Sequence, residues 1–326
     1  MTKNKIAFST GSLLNPKQIL NFCSNVDNNK NVHSIWTPES WGKEAFSLLG
    51  SISQVTNRVK IGTSIINVYT RTPATITMGA ITLDLLSRHR VIIGLGTSTP
   101  QLIENLHGIR FKDPLLRMRE YVESIQSLLK VGKTTFEGRI IKISEFELLE
   151  HSRDNIPIYV AAVNSRMLNL SKEIADGFIL YLKPKEEIER IMKEAGQFQF
   201  NRPFTKAAVI ITSVSNSDPS KAVKRAAKTL VFYISVGKIY YKYLQKTKYG
   251  DIVKKIYSDY HKYGLDESIR NITPEILNDL VVAGSVNDCI YQIKGFMKTG
   301  IDLPILQVNP TIGSNGIVSF KDFYDL

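Results

Sequence analysis

The sequence predicts an α/β protein of the (β/α)8 TIM-barrel class with insertion helices, on three observations. Eight short apolar runs alternate with stretches of helical periodicity. Within 57–129 two of those runs each end in a small-residue loop and a helix lies between them, which is one complete repeat of a parallel barrel. The 326 residues exceed the ~250 typical of the fold by enough for one helical insertion. An open doubly wound sheet has the same local grammar and stays open at this point.

Strands are expected at 5–9, 32–37, 59–66, 91–95, 158–161, 177–181, 207–212 and 304–308. Helices are expected at 16–23, 43–54, 73–86, 114–131, 165–174, 185–195, 218–244, 249–263, 273–281 and 286–299. In the third strand the β-branched run is interrupted at Gly62, Thr63 and Ser64, where a bulge or a close backbone approach belongs. Pro73 then opens a helix, because its missing amide hydrogen is not needed in a first turn, and Ile76, Ala80, Ile81 and 83–86 recur at helical spacing. The run 91–95 is almost wholly apolar, as a parallel strand covered on both faces must be. It leads into Gly96, Thr97, Ser98, Thr99 and Pro100, where glycine admits a ligand to the backbone and hydroxyls offer donors without bulk.

The chain is 43% hydrophobic and 22% charged, which excludes a disordered or fibrous class and fits a single domain, 1–326, with an insertion at about 218–282. No run approaches ~18 apolar residues and the start shows no signal-peptide pattern, so a cytoplasmic protein without a membrane partner is expected. Cys23 and Cys289 lie in separate helix patterns and read as small buried hydrophobes rather than a disulfide or metal pair. Net charge is +12, and between Ser220 and Lys262 eleven Lys or Arg face two Asp and are interleaved with seven tyrosines. Such a segment is either a solvated helix pair with its rings packed inward or a surface for anions, planar rings or nucleic acid.

Several blocks carry a resemblance: IWTPESWGKEAFSLLG at 35–50, NRVKIGTSIINVYTRTP at 57–73, LDLLSRHRVIIGLGTS at 83–98, HGIRFKDPLLRMREYVE at 107–123, IPIYVAAVNSRML at 156–168 and EIADGFIL at 173–180. In this order and spacing, over about half of the chain, it resembles the bacterial luciferase-like superfamily of flavin- and coenzyme F420-dependent oxidoreductases. The similarity is greatest to the F420-dependent branch that includes methylenetetrahydromethanopterin reductase. The resemblance implies coenzyme F420 as cofactor, FMN as its alternative, a small-molecule substrate and a homodimer formed through helices beside the early strands. Because F420 carries a phosphate and an oligoglutamate tail, it also offers the basic segment a small anion in place of nucleic acid, which is not expected as a partner.

Strand ends combined with the resemblance place the cofactor against Thr37, Ser64, Ile65, Asn67, Gly96, Thr97, Ser98, Ala162, Val163 and Asn164. The family often has a non-prolyl cis peptide in the bulge after the third strand, which transfers to Ser64 and Ile65. The amides of 161–165, ahead of a helix, suit a phosphate and equally suit a plain helix cap. Glu39 is the candidate acid or base, although the chain has Pro38 and Glu39 where some F420 enzymes carry an Asp-His pair. Trp36 and Trp41 bracket Glu39; Trp41 is the candidate wall of the substrate pocket, and Trp36 suits such a wall or core packing equally.

The expected chemistry is hydride transfer between C5 of the deazaflavin and a substrate carbon, 5,10-methylenetetrahydromethanopterin being one candidate. An FMN-dependent monooxygenase of the alkanesulfonate type and a non-catalytic polyanion-binding barrel are the alternatives. Asp113-Pro114 with Arg117, Arg119 and Glu120 reads as helix positioning, and Asp176-Gly177 as a strand entry. The five histidines show no ligand spacing, and Gly94-Leu95-Gly96 lacks the third glycine of a dinucleotide fingerprint. Arg71 and Thr72 face either solvent or the ligand mouth.

Overall fold

The computed structural model describes residues 5–11, 14–198, 202–313, 316 and 318–326; part of the start that bears on the signal-peptide expectation, 1–4 and 12–13, lies outside them. The chain divides into two compact units, Met1–Tyr181 with Phe198–Ala207, and Leu182–Gln197 with Ala208–Leu326. In the first unit the order is β1 (Ile6–Ser9), α1 (Pro16–Val26), β2 (Val32–Thr37), α2 (Ala45–Val55), β3 (Lys60–Thr63), β4 (Ile66–Asn67), α3 (Pro73–Leu86) and β5 (Val91–Gly96). It continues with α4 (Pro100–Asn105), α5 (Pro114–Val131), β6 (Lys133–Glu137), β7 (Lys142–Glu147), β8 (Ile158–Ala161), α6 (Ser165–Ile174) and β9 (Gly177–Tyr181). The second unit holds α7 (Lys185–Gly196), most of β10 (Thr205–Val214), α8 (Pro219–Val236), α9 (Lys238–Leu244), α10 (Gly250–Tyr263) and α11 (Leu265–Ser268). It ends with α12 (Pro274–Leu280), β11 (Val281–Gly284), α13 (Val286–Lys298) and β12 (Leu303–Val308).

The strand-and-helix alternation expected of a (β/α)8 barrel runs through both units, and each of the eight anticipated strands is present. In the first unit β1-β2-β3-β5-β8-β9 are parallel neighbours, with β4 also on β5. In the second, β10 lies between β11 and β12. All six residues of β5 are buried, which explains its unbroken apolar run.

A cap followed by proline sets several helix starts. Thr72 accepts a hydrogen bond from the Thr75 amide ahead of Pro73, Asp218 from Lys221 ahead of Pro219, and Thr273 from Ile276 ahead of Pro274. At the strand starts buried carboxylates do the joining. Asp27 accepts the amides of Asn57, Arg58 and Val59 at 2.8–3.0 Å. Asp84, wholly buried, accepts from Arg153 Nε and Nη2 at 3.0 Å, from the Ser152 hydroxyl at 2.6 Å and from the Val91 amide at 3.0 Å.

The structure corrects two expected elements and adds a hairpin and a short helix. The helix 218–244 is two helices, because Gly237 leaves helical geometry at φ −89°, ψ 83°. The helix 273–281 stops at Leu280, and Val281 opens β11, a strand of four buried residues too short to be told from a helix end by periodicity. The antiparallel hairpin of β6 and β7 and the short helix α4 were not anticipated, although α4 has the same cap-and-proline start, Thr99 accepting from Leu102 ahead of Pro100. Cys23 and Cys289 are free and buried, and burial pushes both thiols up, Cys289 to about 12. In the basic segment Tyr241 stacks on Tyr257 with ring centroids 4.1 Å apart, and Tyr249 donates to Asp279 at 2.6 Å. No helix among the described residues is long and apolar enough to cross a membrane.

Candidate active site

The anticipated interruption of the third strand is a bulge. Pairing of β3 with β5 reaches Gly62 opposite Ile92, and pairing of β4 with β5 resumes at Ile66 opposite Leu95, so three residues face two. The Thr63 hydroxyl donates to the Gly94 carbonyl and accepts from its amide, both at 2.8 Å, in place of the ladder. The next peptide, Ser64-Ile65, is cis, where the resemblance put it. A methyl group on Gly96 would stand 2.6 Å from the Ile65 side chain and 3.3 Å from Cβ of Ala161, so these residues meet only because Gly96 has no side chain. The Ser64 amide donates to Thr37 O at 2.9 Å, the Glu39 amide to Ile65 O at 3.3 Å and the Val68 amide to Gly96 O at 3.0 Å. The segments around Thr37, Ser64, Gly96 and Ala162 therefore converge at the ends of adjacent strands.

Strand alternation sorts these residues onto faces. Trp36 and Tyr159, three strands apart, stack with centroids 5.7 Å apart, and Gly62 leaves room for the indole. Register puts Ser9, Trp36, Gly62, Gly94, Gly96 and Ala161 on that face. Phe8 points the other way and meets Phe22 of α1 edge-on at 5.2 Å. Thr37 is on the Phe8 side of the sheet, and its buried hydroxyl has no hydrogen-bond partner among the described residues. Ser9 was not anticipated as a site residue, yet its hydroxyl is 3.5 Å from that of Ser64.

The other candidates take separate places around this convergence. Asn67 is buried, and its Oδ1 accepts from the amides of Tyr69 and Thr70, both at 3.0 Å, so its carbonyl holds the turn after β4. Thr97 and Ser98 are half-buried beyond β5, Ser98 in the left-handed region at φ 56°. The buried Ala162 donates to Ile179 O at 3.0 Å, half-buried Val163 is next along the chain, and Asn164 caps α6 by accepting from Met167 at 2.9 Å. Trp41 is 51% exposed. The Glu39 carboxylate is engaged on both oxygens, by Arg71 Nη1 and by the Ala45 amide at 2.9 Å. Arg71 also pairs with Glu44; partial burial works against its charge, and the two carboxylates outweigh that and hold its pKa above the ordinary value. That partner of Glu39 lies 32 residues along the chain. No group of three or more metal-binding side chains occurs among the described residues.

A parallel strand-and-helix fold whose strand ends meet around small residues defines a class of barrel proteins that use one rim for ligands. The chain belongs to the luciferase-like monooxygenase family, whose profile matches residues 28–303. It is 28% identical over 308 residues to a protein of Mycobacterium tuberculosis named as a coenzyme F420-dependent oxidoreductase, covering 84% of this chain and 86% of that one. It is 26% identical to 5,10-methylenetetrahydromethanopterin reductase of Archaeoglobus fulgidus, covering 79% of this chain and 80% of that one. The structure of the coenzyme F420-dependent tetrahydromethanopterin reductase of Methanopyrus kandleri superposes with a TM-score of 0.79 at 20% identity, over 96% of this chain and 94% of that one. The fold is the (β/α)8 barrel of the luciferase-like proteins.

Proposed function

We propose that the chain is a coenzyme F420-dependent oxidoreductase acting on a small molecule, with 5,10-methylenetetrahydromethanopterin the first substrate to try. Likeness to the M. tuberculosis protein named as an F420-dependent oxidoreductase, over more than four-fifths of both chains, carries this assignment. The residues suit a flat ring system. On the face that carries Trp36, side chains at the strand ends shrink to Ser9, Ser64, Gly96 and Ala161, which leaves backbone accessible, and Ile65 adds an apolar wall. The Ser64 hydroxyl is half-buried, with only a 3.5 Å contact to Ser9 among the described residues, so it is available to a polar edge.

When bound, the deazaflavin supplies or accepts the hydride at C5. Ser64, Ile65 and Gly96 would hold the ring, with Asn67 keeping the turn behind them. The amides of Ser165 and Arg166 would take an acidic group, since Asn164 occupies those of Met167 and Leu168. Trp41 would shield the substrate from water, which hydride transfer between carbons in contact requires. Glu39 would sit at the rim, its carboxylate available for proton transfer only on release from Arg71 and Ala45.

The test is native mass spectrometry of the protein with F420, FMN and FAD in competition, followed by the F420 absorbance change near ~420 nm on turnover. Selective retention of F420 is expected. Retention of FMN instead, with activity requiring reduced FMN and oxygen, would establish the monooxygenase reading that the family's name favours.

A further inference from the structure

We infer that Arg71 is a positioning residue that latches the segment 38–44, with Trp41 at its centre, to the floor of the site. This rests on the oxidoreductase assignment only for its effect on the cofactor. The segment joins β2 to α2, and its two acidic residues, Glu39 and Glu44, stand at its opposite ends. One guanidinium holds both: Nη1 on Glu39 Oε1 and Nη2 on Glu44 Oε1.

Each carboxylate is itself fixed. Glu39 accepts the Ala45 amide at 2.9 Å, and Glu44 caps α2 by accepting from Phe46 at 3.0 Å and Ser47 at 2.7 Å. Arg71 is fixed from behind, because its carbonyl accepts the Tyr121 hydroxyl of α5 at 2.7 Å and its guanidinium lies 5.7 Å from the Phe46 ring. The segment also reaches the floor through the Glu39 amide on Ile65 O. The segment and the start of α2 thus depend on one side chain that is only 17% exposed, and its pair with the 13%-exposed Glu39 is screened little by salt. A five-donor planar fork can serve two carboxylates at once, which a lysine does less well. Glu39 is consequently a structural partner of Arg71 rather than a free base.

The two tryptophans make the latch measurable, since Trp36 is wholly buried and Trp41 half-exposed, so a quencher in solution reaches Trp41 alone. Acrylamide, being neutral, does not respond to the change of net charge. In Arg71→Gln the quenching constant of the cofactor-free protein should rise about twofold as the segment loosens. Affinity for F420 should fall about fivefold, the factor given by the ~1 kcal/mol of a favourable ion pair. Arg71→Lys, which keeps the charge and loses the fork, should restore only part of both, and Glu44→Gln, which cuts one arm at the exposed end, should show a smaller change in the same direction.

A folded Arg71→Gln protein with wild-type quenching overturns the latch. Should Arg71→Gln fail to fold, wild-type quenching in Glu44→Gln overturns it equally. If the wild type binds no F420, the oxidoreductase assignment fails, while the quenching comparison still decides the latch.

Discussion

Gly94 and Gly96 are two residues apart on one strand, yet their neighbours make them answer differently to substitution. A methyl group at Gly94 would stand 1.8 Å from the carbonyl oxygen of Thr63, which is backbone, and the hydroxyl of the same residue is tied to Gly94 by two 2.8 Å hydrogen bonds. Gly94→Ala should therefore destabilise by about 3 kcal/mol or more in urea denaturation, at the upper end of overpacking effects. At Gly96 the obstruction is the Ile65 side chain, which can turn aside, so Gly96→Ala should cost only about 1 kcal/mol while weakening F420 binding by displacing the wall. Equal losses of stability in the two variants would show that Ile65 cannot yield. The positions of Gly96 and Ser64 at strand ends were legible in the sequence because each is a small residue that ends or interrupts a β-branched run. Arg71 as the partner of Glu39 was not, since nothing local in WTPESW points to a cation 32 positions on. Nor was the face of Thr37, because alternation gives a period and only the stack of Trp36 on Tyr159 gives its phase.

Between elements, single carboxylates that gather backbone amides recur, and at Glu120 this arrangement makes a hairpin sensitive to pH. Glu120 is buried on α5 and accepts the amides of Arg139, Ile140 and Ile141, all at 2.8 Å, so it ties the turn of the β6–β7 hairpin to that helix, beside the turn's own bond from the Gly138 amide to Ile141 O. Burial pushes its pKa up, and the three amides pull it down by more, leaving it below the ordinary glutamate value. A depressed folded value gives stability that is complete above the unfolded value of ~4.3 and is lost as pH falls through the folded one. Amide protection at 139–141 in the wild type, measured against intrinsic exchange at each pH, should thus decline from about pH 5 towards pH 3. In Glu120→Gln it should start roughly tenfold lower at pH 7 and show no such decline, because each lost charged hydrogen bond is worth ~1.5 kcal/mol or more. A wild-type profile that matches the variant would assign the turn to some other contact. The hairpin escaped sequence reading for the same reason: its strands are exposed and charged, and the residue that organises them lies on the preceding helix. The helix starts at Pro16, Pro73 and Pro114 were legible to the residue and those at Pro219 and Pro274 to within one. That at Pro100 was missed because its helix is only six residues long, and the break at Gly237 and the change from helix to strand at Val281 were decided by packing.

For the whole molecule, charge complicates any measurement of cofactor choice. A net charge of +12 attracts every phosphate-bearing ligand, F420 and FMN alike, and lends both a non-specific affinity. Above ~0.3 M salt the screening length falls to roughly 6 Å, which removes long-range attraction and leaves contacts inside the site. Under that condition a ligand held a hundredfold above its dissociation constant stabilises the folded chain by about 2.7 kcal/mol, and one held at its dissociation constant by about 0.4 kcal/mol. A chain of 326 residues has a large unfolding entropy, so each kcal/mol raises the melting temperature by only about 1–2 °C. F420 at saturating concentration should therefore raise the melting temperature by roughly 3–5 °C, and FMN at the same concentration, if about a hundredfold weaker, by less than ~1 °C. Inorganic polyphosphate serves as the control for charge alone and should give no shift once salt has removed its attraction. An FMN shift equal to or larger than that of F420 would transfer the site to the flavin, and a polyphosphate shift that survives high salt would place the dominant binding on the basic helices α8 to α10 instead of the strand ends.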